Sequence, residues 1–318
     1  MRFCSRSVSL ALAAMTVVAC SDATGPLDIS PEELEGIGAT MAVEFVRGAL
    51  QLTAQNAMET LVFPSFSVHR SNRLPLGAAF NVQRAGSLPS FQAVDRRCGV
   101  PSQDPPTDSD ADNVPDNLTI TFAPPACSVT DAANDTFDLT GVIAISDPTP
   151  ATAGMAFNMS IDNFRLTLSG AEASDYVRHD ELASVTASGS GLSHTVSRGW
   201  LTQITGSPTI EVDADWSATF TPAQGSTITP GEPLPDGTYT PNGSFEFREG
   251  GRSAHFTVTT VDALQYSAAC AADLAGGTYW LPFSSGTVRV AVPNDGDLGY
   301  VEITHLVCGQ ARVLYVSP

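Results

Sequence analysis

The chain has 318 residues, with 15 Lys+Arg against 34 Asp+Glu and a formal net charge of −19. Every basic residue is arginine, which excludes a Schiff-base lysine, a Ser–Lys dyad and a Walker lysine on a nucleotide phosphate. A chain this acidic is repelled by nucleic acid and by anionic lipid headgroups, and divalent cations are its natural counter-ions.

Residues 1–19 have the layout of a secretory signal. Arg2 and Arg6 give a positive start, and Val8 to Ala19 is an apolar run too short to span a bilayer. The run closes on Val17-Val18-Ala19-Cys20, which resembles the lipobox of bacterial lipoproteins. That resemblance implies cleavage before Cys20, a diacylglycerol on its sulfur, and export to the cell envelope with the membrane as partner through the lipid. Each buried methylene contributes about 0.8 kcal/mol, so two or three acyl chains hold the protein firmly. Ser21 stands where aspartate would signal retention at the inner membrane, which points to the outer membrane and leaves the periplasmic or surface side open. Loss of the leader deepens the net charge from −19 to −21, because Arg2 and Arg6 leave and no acid does.

Residues 20–29 read as a lipidated polar tether, and residues 30–318 as a single domain. Ser30 as N-cap, Pro31 at the first helical position and Glu33 completing a capping box predict a helix over about 31–59. Leu34, Ile37, Met41, Phe45, Ala49 and Leu52 follow at three- and four-residue steps and make one apolar stripe, a core face that packs on a sheet. Gly36 and Gly38 weaken the first turns.

Beyond residue 59 the pattern is β. Leu118, Ile120 and Phe122 alternate with polar residues, and a longer run from Ile210 to Phe220 alternates strictly with Glu211, Asp213, Asp215, Ser217 and Thr219. Between Phe157 and Leu168 the alternation changes phase at Asp162-Asn163, which means either a bulge or a tight turn. A two-residue hairpin at Gly250-Gly251 would pair Glu249 with Arg252, Phe247 with Ala254 and Phe245 with Phe256. Gly99 to Asn117 and Pro222 to Pro241 read as loops from their Pro and Gly spacing.

Of 6 cysteines, Cys4 lies in the leader and Cys20 takes lipid, leaving Cys98, Cys127, Cys270 and Cys308. An even set in an exported chain implies disulfides. The local pairings Cys98–Cys127 and Cys270–Cys308 are favoured, because shorter loops close at lower entropic cost.

Between the first pair lies Asp108-Ser-Asp110-Ala-Asp112-Asn-Val-Pro-Asp116. Converging like charges repel by about 1 kcal/mol per pair at 4 Å even in water, so the loop needs a cation. Calcium suits it best, since it takes six to eight hard oxygens in loose geometry. Asn113 stands at the sharp turn and tolerates the left-handed conformation. The stretch resembles the calcium loop of thrombospondin type 3 repeats, Asp-x-Asp-x-Asp-Gly-x-Pro-Asp, with Asn113 in place of Gly; the resemblance covers about ten residues. It implies that Asp108, Asp110 and Asp112 are side-chain ligands, that Val114 offers its carbonyl, and that Asp116 binds directly or through water. Asp104, Asp131 or Asp135 would complete the shell. A staple rather than a catalyst is expected, because no nucleophile or base adjoins the motif.

No catalytic motif stands out. His69, His179, His194, His255 and His305 are scattered without zinc spacing, and no Gly-x-Ser-x-Gly elbow occurs. His179-Asp180-Glu181-Leu182 spells a retention tetrapeptide but is internal. The fold expected is mainly β: a large antiparallel sheet, either a sandwich or a curved half-barrel, with one N-terminal helix packed on it. The function expected is non-enzymatic, a lipid-anchored envelope protein with a structural or binding role, stabilised by calcium and two disulfides. A carrier of an apolar ligand between sheet and helix is the alternative, followed by a hydrolase using Asp213 and Asp215, whose separation on one strand face falls in the range glycosidases use.

Overall fold

A computed structural model describes residues 98–130, 136–168, 175–203, 205–206, 208–273, 282–291, 300–306 and 310–316, and before them 37–38, 41–42, 44–46, 48–54 and 57. The leader, Cys20, the tether, the capping box at Ser30 to Glu33, His69, Asp131, Asp135 and Cys308 lie outside these residues. Among the described residues no helix is long and apolar enough to cross a membrane.

Period-two alternation after residue 117 becomes strands. The strands are β1 (Val100–Pro101), β2 (Asn117–Phe122), β3 (Ser128–Thr130), β4 (Thr136–Ser146), β5 (Phe157–Leu168), β6 (Tyr176–Ser188) and β7 (Gly191–Gln203). They continue with β8 (Ile210–Pro222), β9 (Gly237–Glu249), β10 (Arg252–Tyr266), β11 (Phe283–Ala291), β12 (Tyr300–Leu306) and β13 (Gln310–Val316); a short helix, α1 (Ala268–Asp273), lies between β10 and β11. All form one antiparallel sheet whose order in space is the order in sequence, except that β2 and β3 share the same edge of β4. Among the described residues the sheet does not close, and it is a single sheet rather than a sandwich.

One face carries the core. Val212, Ala214, Trp216, Ala218 and Phe220 of β8 are buried while Asp213, Asp215, Ser217 and Thr219 are exposed, as the alternation requires. The β9–β10 hairpin pairs Glu249 with Arg252, Phe247 with Ala254 and Phe245 with Phe256, in the register read from the sequence. The Phe245 and Phe256 rings stack at 4.3 Å.

The phase change in β5 is a bulge. Its register shifts against both neighbours, between Thr140 and Val142 of β4 and between Ile161 and Phe164 toward β6, with Asn163 at φ 47°. Gly141 faces the bulge: at φ 128°, a Cβ there would lie 2.6 Å from the Phe164 Cα, so only glycine fits.

Pro222 to Pro241 is not all loop. β8 runs through Pro222 and β9 begins at Gly237, so Pro241 lies inside a strand. A proline there is tolerated because the β9–β10 ladder is interrupted opposite it, between the Val258–Gly243 and Leu264–Tyr239 pairs. Thr260 bridges the gap, its hydroxyl donating to the Pro241 carbonyl at 2.5 Å and its N–H to Asn242 Oδ1 at 2.9 Å.

Residues from the N-terminal stripe join the same core. Ile37, Met41, Phe45, Ala49 and Leu52 are all buried in it. The described backbone is helical at 37–38, 41–42, 44–46, 54 and 57, with a 3-10 turn at Gly48–Gln51. The Phe45 ring lies 4.9 Å from that of Trp216 and 6.3 Å from that of Phe245. A Cβ on Gly48 would lie 3.0 Å from the Tyr239 hydroxyl, so this turn sits directly on the sheet.

The loops before β2, after β4, between β8 and β9 and after β10 share one end of the sheet. The Asn113 amide donates to the Gly231 carbonyl at 3.3 Å, joining the loop before β2 to the loop after β8. Those two strands stand five ladder steps apart, about 24 Å in a flat sheet at 4.8 Å per step. The sheet therefore curls, and its loops meet over this end.

Candidate functional site

The acidic loop is built by its own side chains. Asp108 Oδ1 accepts from the Ala111 and Asp112 N–H groups at 2.8 and 3.3 Å, and Oδ2 accepts from the Asn113 N–H at 3.0 Å. These bonds wind the backbone so tightly that Ala111 and Asn113 both take left-handed φ values, 62° and 68°. Asn113 was legible as a turn residue; Ala111 was not. Asp112 is buried, with Oδ1 accepting from the Val114 N–H at 2.8 Å and Oδ2 from the Gly154 N–H at 2.8 Å.

Asp108, Asp110 and Asp112 are brought together, with one ligand oxygen from each lying within 4.8 Å of the others. Both Asp110 oxygens are buried and have no hydrogen-bond partner. Burial, followed by the charges of Asp112, Asp147 and Asp108, pushes the Asp110 carboxyl above its ordinary value. Asp116 points elsewhere: it accepts from the Ser109 N–H at 2.9 Å and hydroxyl at 2.6 Å, and those bonds hold its carboxyl below the usual range. Asp104 is exposed and outside the converging group.

The loop is anchored at both ends. Cys98 and Cys127 form a disulfide with a Cα–Cα distance of 5.0 Å, closing the excursion that carries the aspartates. Cys270, on α1, is also disulfide-bonded. At the other end, the Asp147 N–H donates to the Pro115 carbonyl at 3.0 Å.

A second polar cluster lies on the inner face of the sheet. Glu181 of β6 and Arg198 of β7 are directly paired across the ladder, with a salt bridge from Arg198 Nε to Glu181 Oε2. Glu181 also meets His179 Nε2 at 3.0 Å and accepts from Gln51 Nε2 at 3.2 Å. Arg198 Nη2 donates to Gln51 Oε1 at 2.8 Å, and Nη1 lies 3.6 Å from Glu44 Oε2. The guanidinium carbon lies 4.8 Å and 5.3 Å from the Trp216 and Trp200 ring centroids. Burial alone would raise the Glu181 pKa, but Arg198 and His179 together bring it down to about 2.

Comparison with protein-family models, curated proteins and solved structures finds no match to this chain.

The inner cluster is not arranged for acid–base work. Its carboxylate is ionised, enclosed and engaged by three donors; with Arg198 it holds Gln51 against the sheet, and Arg198 faces Glu44. Sequence reading passed over it, although the signal was present. His179 and Glu181 fall on the same phase of β6 as Val177, Ala183 and Val185, and Arg198 falls on the phase of Val196 and Trp200 in β7. Charges on an apolar phase mark a buried pair. On the outer face, Arg248 binds Glu211, Asp213 and Glu246, so Asp213 is occupied by an ion pair.

Proposed function

We propose that the protein is a lipid-anchored component of the bacterial cell envelope with a structural or binding role, and that one calcium ion orders its loop end. The observation that carries the calcium reading is the convergence of three carboxylates around the Asp110 oxygens, which are buried without a donor. A buried anionic oxygen without a partner is costly, and a hard divalent cation removes that cost. Asp108, Asp110 and Asp112 supply side-chain oxygens, with the Val114 carbonyl as a further ligand on the resemblance of the loop. Asp116 acts by bracing Ser109.

The anchor rests on the Val17-Val18-Ala19-Cys20 sequence, and Ser21 after it favours the outer membrane, with the periplasmic or surface side open. The N-terminal stripe covers the inner face of the open sheet, its helical turns interrupted by the 3-10 turn at Gly48–Gln51 rather than continuous over 31–59. A carrier of an apolar ligand would need that space, which Phe45 and Leu52 already occupy.

The test is calcium titration calorimetry on the full mature chain in detergent, with thermal melting in chelator alongside. One ion per chain and a fall in melting temperature on chelation support the reading. No uptake, with melting unchanged by chelator, defeats it. Incorporation of labelled fatty acid that disappears in Cys20→Ala tests the anchor separately.

A further inference from the structure

We propose that Asp147, the first residue after β4, is a further ligand of the cation at the acidic loop, so that the ion joins two separate loops. The inference rests on the calcium reading above and adds to it a residue 31 positions beyond the end of the Asp108–Asp116 motif.

Asp147 is 6% exposed. Its Oδ1 is engaged by its own turn, accepting from the Thr149 N–H at 2.7 Å and the Thr149 hydroxyl at 3.4 Å. Its Oδ2 is buried and has no hydrogen-bond partner. Three carboxylate oxygens are thus enclosed without a donor, two from Asp110 and one from Asp147. Lysine is absent from the chain, and among the described residues no arginine forms an ion pair with Asp108, Asp110, Asp112 or Asp147.

The backbone places Asp147 beside the motif. Ser146 is paired with Asn117, so the next residue along β4 lies opposite the end of the acidic loop. The bond from the Asp147 N–H to the Pro115 carbonyl fixes that position, and the bond from the Gly154 N–H to Asp112 Oδ2 folds the far side of the β4–β5 loop onto the same site. Asp147 lies outside the trio whose oxygens fall within 4.8 Å of one another, but its charge acts on Asp110, and the two loops are held side by side without any cationic side chain. Calcium fits this better than magnesium, because it accepts more oxygens at longer and looser distances than the near-ideal octahedron magnesium demands.

Asp147→Asn keeps an acceptor for the Thr149 N–H while removing the charge at Oδ2. Titration of the full mature chain with calcium alone is expected to give one site in the wild type, no uptake in Asp110→Asn, and affinity lowered about tenfold or more in Asp147→Asn. An Asp147→Asn chain that binds as tightly as the wild type overturns the role of Asp147 and leaves the acidic-loop site standing. A wild-type chain that binds nothing overturns both. Hydrogen exchange on the unmodified protein gives a reading that needs no variant. Calcium should protect amides in 147–154 as well as 108–116, and protection confined to 108–116 overturns the proposal.

Discussion

His194 is fully buried on β7, with Nδ1 3.4 Å from the Tyr239 hydroxyl and Nε2 facing no partner. Burial is the main cause that lowers its pKa from the ordinary 6.5 to about 4; the charge of Arg198 adds to this and that of Glu181 opposes it. The unfolded chain takes up a proton near pH 6.5 that the folded chain refuses until about pH 4. The stabilisation is therefore complete above 6.5 and falls as the pH drops toward 4, by about 3 kcal/mol at roughly 1.4 kcal/mol per unit. Urea unfolding at pH 7, 5.5 and 4 should show this loss, and His194→Leu should flatten it. Equal slopes in both chains would contradict the enclosure of the ring. Glu181 acts in a lower window. Its pKa is depressed from 4.5 to about 2, so its contribution is present above 4.5 and is lost as the pH falls through 2. Glu181→Gln leaves Arg198 without its closest anion and should cost about 3 kcal/mol, the lower end of the range for a broken buried pair, because Glu44 stays 3.6 Å away. Replacing both partners with apolar residues, Glu181→Leu with Arg198→Met, should cost much less than the single change if the pair serves packing alone.

Strands and turns were legible where local chemistry alone decided them. The β8 alternation and the Gly250-Gly251 hairpin needed only their own residues, and the structure reproduces both. The break at Asp162-Asn163 was visible, but choosing the bulge required Gly141, which lies on the neighbouring strand. Pro241 misled for the same reason: its tolerance comes from a gap in the β10 ladder that no local pattern announces. In the acidic loop, converging Asp108, Asp110 and Asp112 could be read from spacing, whereas the placement of Asp147 beside the loop follows only from the pairing of β2 with β4. The Cys98–Cys127 bridge was legible from loop entropy. Its separation of 29 residues gives a stabilisation of about 3–4 kcal/mol on the chain-entropy estimate. Cys98→Ala with Cys127→Ala should lower unfolding free energy by that amount in chelator. The loss should shrink when calcium is present, because the ion then restrains part of the same loop. A loss that is the same with and without calcium would mean that the bridge and the ion order different segments.

Consecutive antiparallel strands make this sheet a chain of mostly local pairings, in which from β4 onward each strand is followed in the sheet by the next strand in sequence, and β2 reaches β4 past β3. The inner face is different. Trp216, Tyr239, Phe245 and Phe247 come from two adjacent strands, and an open sheet cannot bury such a face by itself. The cover described for it comes from the far end of the sequence: Gln51 reaches Glu181 across 130 residues and Arg198 across 147. The buried pair thus gives the N-terminal segment one specific seat on a surface that is otherwise apolar. Removing residues 20–57 should leave the hairpins able to form but the face uncovered. We expect such a chain to bind a hydrophobic dye, to associate, and to melt without a cooperative transition, and an exposed patch of this kind is what drives association. Phe45→Ala in the full chain should reproduce part of this at a cost of about 3–5 kcal/mol, since it empties the space against Trp216 and Phe245. A truncated chain that stayed monomeric and melted at the full-length temperature would show that the sheet closes over its own core. The N-terminal residues would then be a detachable attachment rather than part of the fold.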